Sequence, residues 1–198
     1  MAAGRANVER VMDWVGDDVA RERMIEIGCG VGRTTVHFAE HFERVDGVDV
    51  SSEMVRLARA ASLPANVTLT VTSGGDLAAF EDASFDFAFS HLVLQHIADE
   101  TVLAANLAEI ARVLRPNGLA LLQFDTRKRP LLAAAAGLLP DPLLPPKRRR
   151  HARRYRRTPA RIRELLTNAG LAIDREQDPG TADHWLFLRP NVVHHQRR

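Results

Sequence analysis

Cysteine is almost absent from the 198-residue sequence, and so are long apolar runs. The single cysteine, Cys29, excludes an internal disulfide and argues against a zinc site built from thiolates. No apolar run approaches the roughly 18 residues that a membrane-spanning helix needs. Residues 1–16 lack the apolar core of a secretory signal, because charged residues such as Arg5 and Glu9 interrupt them. These absences predict a globular protein of the reducing cytoplasm without a transmembrane segment.

Acidic residues are almost absent from one segment of the chain. Residues 127–163 contain 13 lysines and arginines and one acidic residue, Asp141. The remainder has 14 basic and 24 acidic residues, a net charge of −10. Residues 147–157 alone carry eight of the cations. An acidic body with one basic segment indicates that this segment has a role of its own.

Short apolar strands alternate with amphipathic helices through the first 125 residues. The pattern predicts strands at 24–28, 44–50, 67–72, 85–90 and 119–124, and helices at 5–14, from the glycine-rich loop to about 42, 53–61 and 101–114. A further helix at 159–169 and two strands at 171–176 and 184–188 follow. Alternating strands and helices need crossover connections, so we expect one α/β domain over residues 1–198 with a parallel sheet. The Asp178-Pro-Gly180 turn predicts an antiparallel edge hairpin from the last two strands.

A glycine-rich segment, Glu26-Ile-Gly28-Cys-Gly30-Val-Gly32, lies where the first strand gives way to the first crossover helix. Glycines let a backbone approach a ligand closely, and a helix N-terminus offers free N–H groups to an anion. A dinucleotide-binding fingerprint would need its third glycine at position 33, which is Arg33. The third glycine, Gly32, comes one residue too early for that class.

The segment resembles motif I of the class I methyltransferases that use S-adenosylmethionine (SAM). The resemblance continues in chain order at Asp49, Gly75-Asp76-Leu77, residues 85–90 and residues 107–118, and it covers residues 20–125. It implies SAM as the cofactor. It also implies a Rossmann-like, doubly wound, mostly parallel seven-stranded sheet with an antiparallel last strand and helices on both faces.

The resemblance assigns a role to each part of the SAM site. The backbone of the glycines would contact the methionine part of SAM, and Glu26 would orient the ammonium group of that methionine. Asp49 would bind the ribose, and Asp76 the adenine amine. The full set of expected cofactor-binding residues is Glu26, Gly28, Cys29, Gly30, Gly32, Asp49, Val50, Met54, Gly75, Asp76, Leu77, Ser90 and His91. Two alternatives stay open: Glu26 as a satisfied carboxylate at a strand end, and Asp49 as a helix N-cap.

His96 follows the fourth strand, where the family places the methyl acceptor. A neutral imidazole there can take a proton from a hydroxyl or amine during methyl transfer, which makes His96 the candidate catalytic base. The alternative is a histidine that only shapes the pocket wall. The carboxylate cluster of metal-dependent relatives is not evident, and we predict no metal.

The basic segment at 127–157 is expected to be an insert or lid over the acceptor, as additions after strand five commonly are in this family. Its cations can bind an anionic acceptor, hold nucleic-acid phosphates with Tyr155 stacking on a base, or form a solvated face. Together with the apolar residues 131–146 it can also rest on an anionic membrane surface.

A small-molecule acceptor is favoured, because no RNA-binding module is recognisable and the rest of the chain is acidic. Ser90-His-Leu-Val stands where amino- and base-modifying relatives carry Asn-Pro-Pro-Tyr, which slightly favours O-methylation. The alternatives are an RNA methyltransferase that uses the basic insert and a SAM-binding regulator without catalysis. An NAD(P)-dependent oxidoreductase is less favoured, and the oligomeric state is left open.

Overall fold

A computed structural model describes residues 2–128 and 154–191. Its strands are β1 Arg23–Ile27, β2 Arg44–Asp49, β3 Val67–Val71, β4 Phe85–Ser90, β5 Leu114–Phe124, β6 Leu171–Gln177 and β7 His184–Pro190. Its α-helices are α1 Ala2–Val15, α2 Thr35–Phe38, α3 Ser52–Ala60, α4 Glu100–Val113 and α5 Pro159–Asn168. Of these helices in the described ranges, none is long and apolar enough to cross a bilayer.

The strands form one sheet in the order β3-β2-β1-β4-β5-β7-β6. Strands β1 to β5 pair in parallel, and β7 runs antiparallel to both of its neighbours. The direction in which successive strands are added reverses between β1 and β4, which creates a crevice at their carboxyl ends. The predicted fold class is confirmed, including the hairpin of β6 and β7, and β6 forms the edge.

Two predicted boundaries differ from the structure by four residues or more. Helix α2 ends at Phe38 and not near residue 42, and the Asn66 amide donates to the Ala39 and Phe42 carbonyls at 3.0 and 2.9 Å. These bonds satisfy two carbonyl groups just beyond the end of the helix, where no intrahelical N–H is available to them. Strand β5 begins at Leu114, five residues earlier than predicted, because Leu114 already pairs with Phe85.

Proline inside β5 explains why the sequence pattern misses its first residues. The pairing of β4 with β5 is irregular between Phe85 and Phe87, and this irregularity accommodates Pro116 to Gly118. Proline lacks the N–H that a regular ladder needs, so it is tolerated where the ladder is already interrupted.

Apolar side chains cover both faces of the sheet. On one face, α4 and α5 bury leucines and isoleucines against β4, β5 and β7. On the other face, α1 and α2 enclose an aromatic cluster that includes Phe38, Phe87, Phe89 and Trp185. All six residues of β4 are buried, as expected for a central strand covered on both sides.

Residues 129–153, the greater part of the basic insert, lie outside the described residues, and the insert's role as a lid stays a prediction. Residues 154–158 are described and lead directly into α5.

The aromatic cluster makes a stability prediction. Phe87 is fully buried, and its ring centroid lies 6.2 Å from that of Phe38 and 5.7 Å from that of Phe42. Phe87→Ala should lower the free energy of unfolding by about 3–5 kcal/mol, because it removes buried contacts and leaves a cavity. Urea denaturation measures this change. Leu57→Ala on the exposed side of α3 is the control and should change it by about 0.5 kcal/mol or less; equal effects would contradict the core assignment.

Candidate functional site: a crevice at the carboxyl ends of the strands

A cavity of about 350 Å³ lies at the carboxyl ends of β1 and β2, beside the point where the strand order reverses. Its volume suits a small ligand. The lining residues are Ile27, Gly28, Val48, Asp49, Val50, Thr72, Gly74, Asp76, Leu77, Leu92, Val93, Leu94, His96, Ile97 and Asn106. Mostly apolar walls with a few carboxylate and amide groups are typical of a site for a partly apolar cofactor.

The carboxylate of Asp49 joins the two loops that border the cavity. Its Oδ2 accepts from the Gly30 N–H and its Oδ1 from the Ser51 N–H, each at 2.8 Å. A carboxylate has about four acceptor positions, so two remain for a ligand. The N-cap of α3 is Ser51, whose Oγ accepts from the Met54 N–H at 3.2 Å. The alternative that Asp49 serves as that N-cap is therefore not what the structure shows.

The glycine-rich loop needs a backbone conformation that other residues rarely adopt. Gly28 has φ +77°, and its N–H donates to the Val48 carbonyl at 2.8 Å. A Cβ atom at Gly28 would lie 2.3 Å from Val93 Cγ2, closer than any real contact. The close approach of the loops after β1 and β4 therefore requires glycine at this position.

Glu26 is a buried carboxylate with both oxygens already bonded. The Thr34 hydroxyl donates to one oxygen, and the Thr35 hydroxyl donates to the other at 2.6 Å. Burial raises the pKa of Glu26 to about 7, although both hydroxyl hydrogen bonds oppose that shift. Glu26 does not line the cavity. The arrangement matches the satisfied-carboxylate alternative, and its contact with a ligand ammonium stays a prediction.

The far end of the cavity is bordered by the segment after β3. Asp76 accepts from the Ser73 hydroxyl and, at 3.3 Å, from the Ala78 N–H, and these bonds hold its pKa below the ordinary value. Leu77 is buried, and its N–H donates to Glu109 Oε2 at 2.8 Å. An apolar side chain beside an ionised acceptor can receive a flat ring that carries an amino group.

The predicted site residues differ in their position relative to the cavity. Six of them line the cavity: Gly28, Asp49, Val50, Asp76, Leu77 and His96. Gly75 lies between two lining residues, and seven stand outside the lining: Glu26, Cys29, Gly30, Gly32, Met54, Ser90 and His91. The Cys29 thiol is buried against Val55, Ala58 and Leu69, and burial raises its pKa to about 12. It is a protonated packing residue at neutral pH.

Ser90 and His91 do not line the cavity themselves. The fully buried Ser90 hydroxyl donates to the Ile27 carbonyl at 3.1 Å. The His91 ring stacks on Trp185 with centroids 5.0 Å apart, and its Nδ1 lies 3.3 Å from the Asn7 amide nitrogen. Burial lowers the pKa of His91 to about 4, so the ring is neutral at pH 7. A cofactor contact by either residue stays a prediction.

Several lining residues escaped the sequence analysis. Asn106 stands among apolar residues of α4, and its amide donates to the Gly74 carbonyl at 2.5 Å. A lone amide on a core-facing helix position is a signal that could have found it. Leu92 gave no such signal: its φ of +61° is unusual for a branched residue, and its N–H donates to Gln123 Oε1 at 3.0 Å.

His96 ends a short 3₁₀ helix, Leu94–His96, and lines the cavity. The last residues of the insert hold this turn in place. The Tyr155 N–H donates to the Gln95 carbonyl at 2.7 Å, and the Arg157 guanidinium donates to the Ile97 carbonyl at 2.8 Å. The turn that brings His96 to the cavity is therefore held by hydrogen bonds from Tyr155 and Arg157.

In residues 2–128 and 154–191, His, Cys, Asp and Glu side chains form no group of three that could hold a metal ion. The predicted absence of a metal stays a prediction.

Comparison with known proteins agrees with this geometry. The family described as methyltransferase domain matches residues 25–122. A magnesium protoporphyrin IX methyltransferase from Synechocystis PCC 6803, solved with bound SAH, shares the fold with a TM-score of 0.67 at 21% identity, over 95% of this chain and 84% of that one. The fold and the matched residues are those of a methyltransferase domain, with a crevice at the carboxyl ends of its strands. Residues 25–122 thus carry a methyltransferase domain, and the chain is similar in sequence and fold to class I SAM-dependent methyltransferases, a class whose methyl donor is SAM.

Two relatives carry more specific names. A ubiquinone biosynthesis O-methyltransferase from Xanthomonas euvesicatoria pv. vesicatoria (strain 85-10) is 31% identical over 160 residues, 79% of this chain and 65% of that protein. The O-methyltransferase cnsE from Penicillium expansum is 32% identical over 133 residues, 62% of this chain and 47% of that protein. The chain thus spans less than two thirds of the length of these relatives.

The buried Glu26 carboxyl makes a prediction about pH. Its folded pKa of about 7 lies above its ordinary value of 4.5, so the favourable protonated form is complete below about pH 4.5 and is lost as the pH rises through 7. The unfolding free energy of the wild type, relative to Glu26→Gln, should therefore fall by on the order of 1–3 kcal/mol across that interval. Denaturation of both proteins at several pH values measures the difference. The contributions of the other titratable groups cancel in it, because both proteins contain them. Parallel profiles would contradict a raised Glu26 pKa.

Proposed function

We propose that this protein transfers a methyl group from SAM to a hydroxyl group of a small molecule, with His96 as the base. The observation that carries the proposal is the cavity that brings Asp49 and His96 together at the carboxyl ends of the strands. The expected ribose-binding and proton-accepting groups thus border one space.

The residues present fit SAM. Two acceptor positions remain on the Asp49 carboxylate for a pair of ribose hydroxyls, and Asp76 with Leu77 offers an acceptor beside an apolar wall for adenine. Gly28 lines the cavity, so its backbone can contact the ligand without an intervening side chain. SAM, when bound, supplies a methyl group on an electron-poor sulfonium. The chain's own residues orient this ligand, and alignment of the reacting atoms supplies much of the acceleration.

The choice of a small hydroxylated acceptor rests on the names of the relatives and on the sequence after β4. Both relatives are O-methyltransferases by name, and Ser90-His-Leu-Val stands in place of the Asn-Pro-Pro-Tyr sequence. Methylation of a hydroxyl requires loss of its proton, and an imidazole at the cavity can accept that proton. The single, buried cysteine supports the cytoplasm as the proposed compartment.

An RNA methyltransferase remains the second candidate, because the segment 147–157 carries eight cations. Nucleic-acid binding through these residues would weaken steeply with salt, since each neutralised phosphate releases counterions. A small-molecule enzyme would show no such dependence in its acceptor affinity unless the acceptor is itself charged.

Removal of the Asp49 carboxylate tests the SAM site. Asp49→Ala should weaken SAM binding by about 2–4 kcal/mol, because two hydrogen bonds to ligand hydroxyls are lost. Titration calorimetry measures the affinity. Glu53→Ala is the matched control: it removes an exposed carboxylate from the adjacent helix and should leave SAM affinity unchanged. Asp49→Asn keeps the side-chain size and guards against a folding defect. Unchanged affinity in folded Asp49 variants would remove Asp49 from the site.

Replacement of His96 tests the base. A cell-extract screen with labelled SAM first identifies an acceptor. His96→Gln keeps a polar side chain that cannot accept a proton near neutral pH, so kcat should fall at least about tenfold and the pH–rate limb of the imidazole should disappear. His41→Gln, which changes a histidine outside the cavity lining, should leave both unchanged. A kcat within a few-fold of wild type, with a raised acceptor KM, would make His96 a pocket wall.

A further inference from the structure

Three arginines converge on one buried carboxylate just after β5. Asp125 has a fully buried side chain, and Arg127 holds it in a bidentate pair, with Nε 2.9 Å from Oδ1 and Nη2 2.5 Å from Oδ2. Arg156 Nε and Arg154 Nη1 approach the same Oδ2 at 3.5 and 3.8 Å. These two distances are too long for good hydrogen bonds. Arg127 therefore satisfies Asp125, and the other two guanidiniums are attracted to it without being tightly bound.

The cluster carries an excess of positive charge. One further carboxylate, Asp183, acts on Arg127 electrostatically. Three guanidiniums still outnumber two carboxylates. The side chains of Arg154 and Arg156 keep 41% and 28% of their surface exposed, so their donors can reach a ligand. Arginine forks match carboxylate and phosphate groups in geometry as well as in charge.

The cluster adjoins the turn that carries His96. Tyr155, between the two arginines in sequence, donates its N–H to the Gln95 carbonyl, and Arg157 donates to the Ile97 carbonyl. Both acceptors flank His96 directly. The Gln95 side chain is only 1% exposed, and neither of its amide atoms has a hydrogen-bond partner in the described part of the chain. A buried amide of this kind is costly unless a ligand or a water molecule pairs with it.

We propose that Arg154 and Arg156 bind a carboxylate or phosphate group on the methyl acceptor and hold the acceptor's hydroxyl toward His96. The proposal rests on the proposed function, because only a methyl acceptor needs to lie beside that histidine. Asp125 and Arg127 have a different role: as a fixed ion pair, they keep Arg154 and Arg156 in place. The acceptor is accordingly an anionic small molecule with a hydroxyl group.

Anion binding tests the proposal without any methyl transfer. The full chain, saturated with S-adenosylhomocysteine, is titrated with inorganic phosphate by calorimetry at constant ionic strength. The double variant Arg154→Gln, Arg156→Gln should bind phosphate at least about tenfold more weakly than the wild type, because two charge-assisted contacts are lost. Arg127 remains in place in this variant, so Asp125 keeps its partner and the fold is preserved.

The matched control is Arg163→Gln, Arg189→Gln. It removes the same charge from two arginines of similar exposure, 45% and 32%, which pair with Glu176 and Asp174 away from the cluster. This control should change phosphate affinity less than twofold. No phosphate binding by the wild type, or equal weakening in both double variants, would overturn the proposal. Binding of a single-stranded RNA that depends on Arg154 and Arg156 without phosphate binding would also overturn it.

A second measurement links the site to the acceptor. Once labelled SAM has identified a methylated product in extract, that product should be retained by an anion-exchange resin at neutral pH. The double variant should raise the acceptor KM at least about tenfold and leave SAM affinity unchanged. A neutral product would overturn the anionic acceptor while leaving the proposed methyl transfer intact. A failure to label any product would count against the proposed function and would leave the phosphate result to decide the anion site.

Discussion

The carboxylate of Asp49 is the interaction on which the site depends. β1 and β2 are adjacent parallel strands, so the loops that leave their carboxyl ends emerge side by side. Asp49 bonds the backbone of both loops, through Gly30 and Ser51, and thereby fixes the rim of the cavity. The same carboxylate keeps acceptor capacity for a ligand. One side chain therefore joins the two loops and, in the proposed SAM site, would also offer the principal polar contact, which gives a reason for an acidic residue at the end of a mostly buried strand.

The two ends of the site use opposite electrostatics. The cofactor side is formed by backbone, by apolar side chains and by the carboxylates of Asp49 and Asp76. The proposed acceptor side, beyond His96, would be bordered by Arg154 and Arg156. The contrast follows from the charge distribution along the chain, since an acidic body carries one basic segment. SAM carries a net positive charge, so this contrast would favour the cofactor at the acidic side and an anionic acceptor at the basic side.

The fold was predictable wherever local patterns agree with the tertiary structure. Strand β4 matches its predicted bounds at both ends, because phenylalanine alternates with small or polar residues over 85–90, a period-2 pattern that is typical of a strand. The start of α3 was predicted to within one residue, and Ser51 caps the helix there through a local hydrogen bond to the Met54 N–H. The early start of β5 was not predictable, because it depends on pairing of Leu114 with Phe85, 29 residues away.

The site was predictable only in part, for the same reason. Asp49 and Gly28 belong to the segments that carry the family resemblance and both line the cavity. Leu92 lines it through a strained backbone that the Gln123 side chain supports. The arginine cluster also escaped detection as a cluster. The sequence showed a run of cations but not that the buried Asp125 selects two of them. Contacts between segments distant in sequence leave no local pattern.

The most direct test of the account is a crystal structure of the full chain with S-adenosylhomocysteine. The account predicts both ribose hydroxyls within hydrogen-bonding distance of the Asp49 carboxylate, the adenine beside Leu77 and the sulfur facing the His96 turn. A ligand bound elsewhere, or one in this cavity with its ribose away from Asp49, would contradict it.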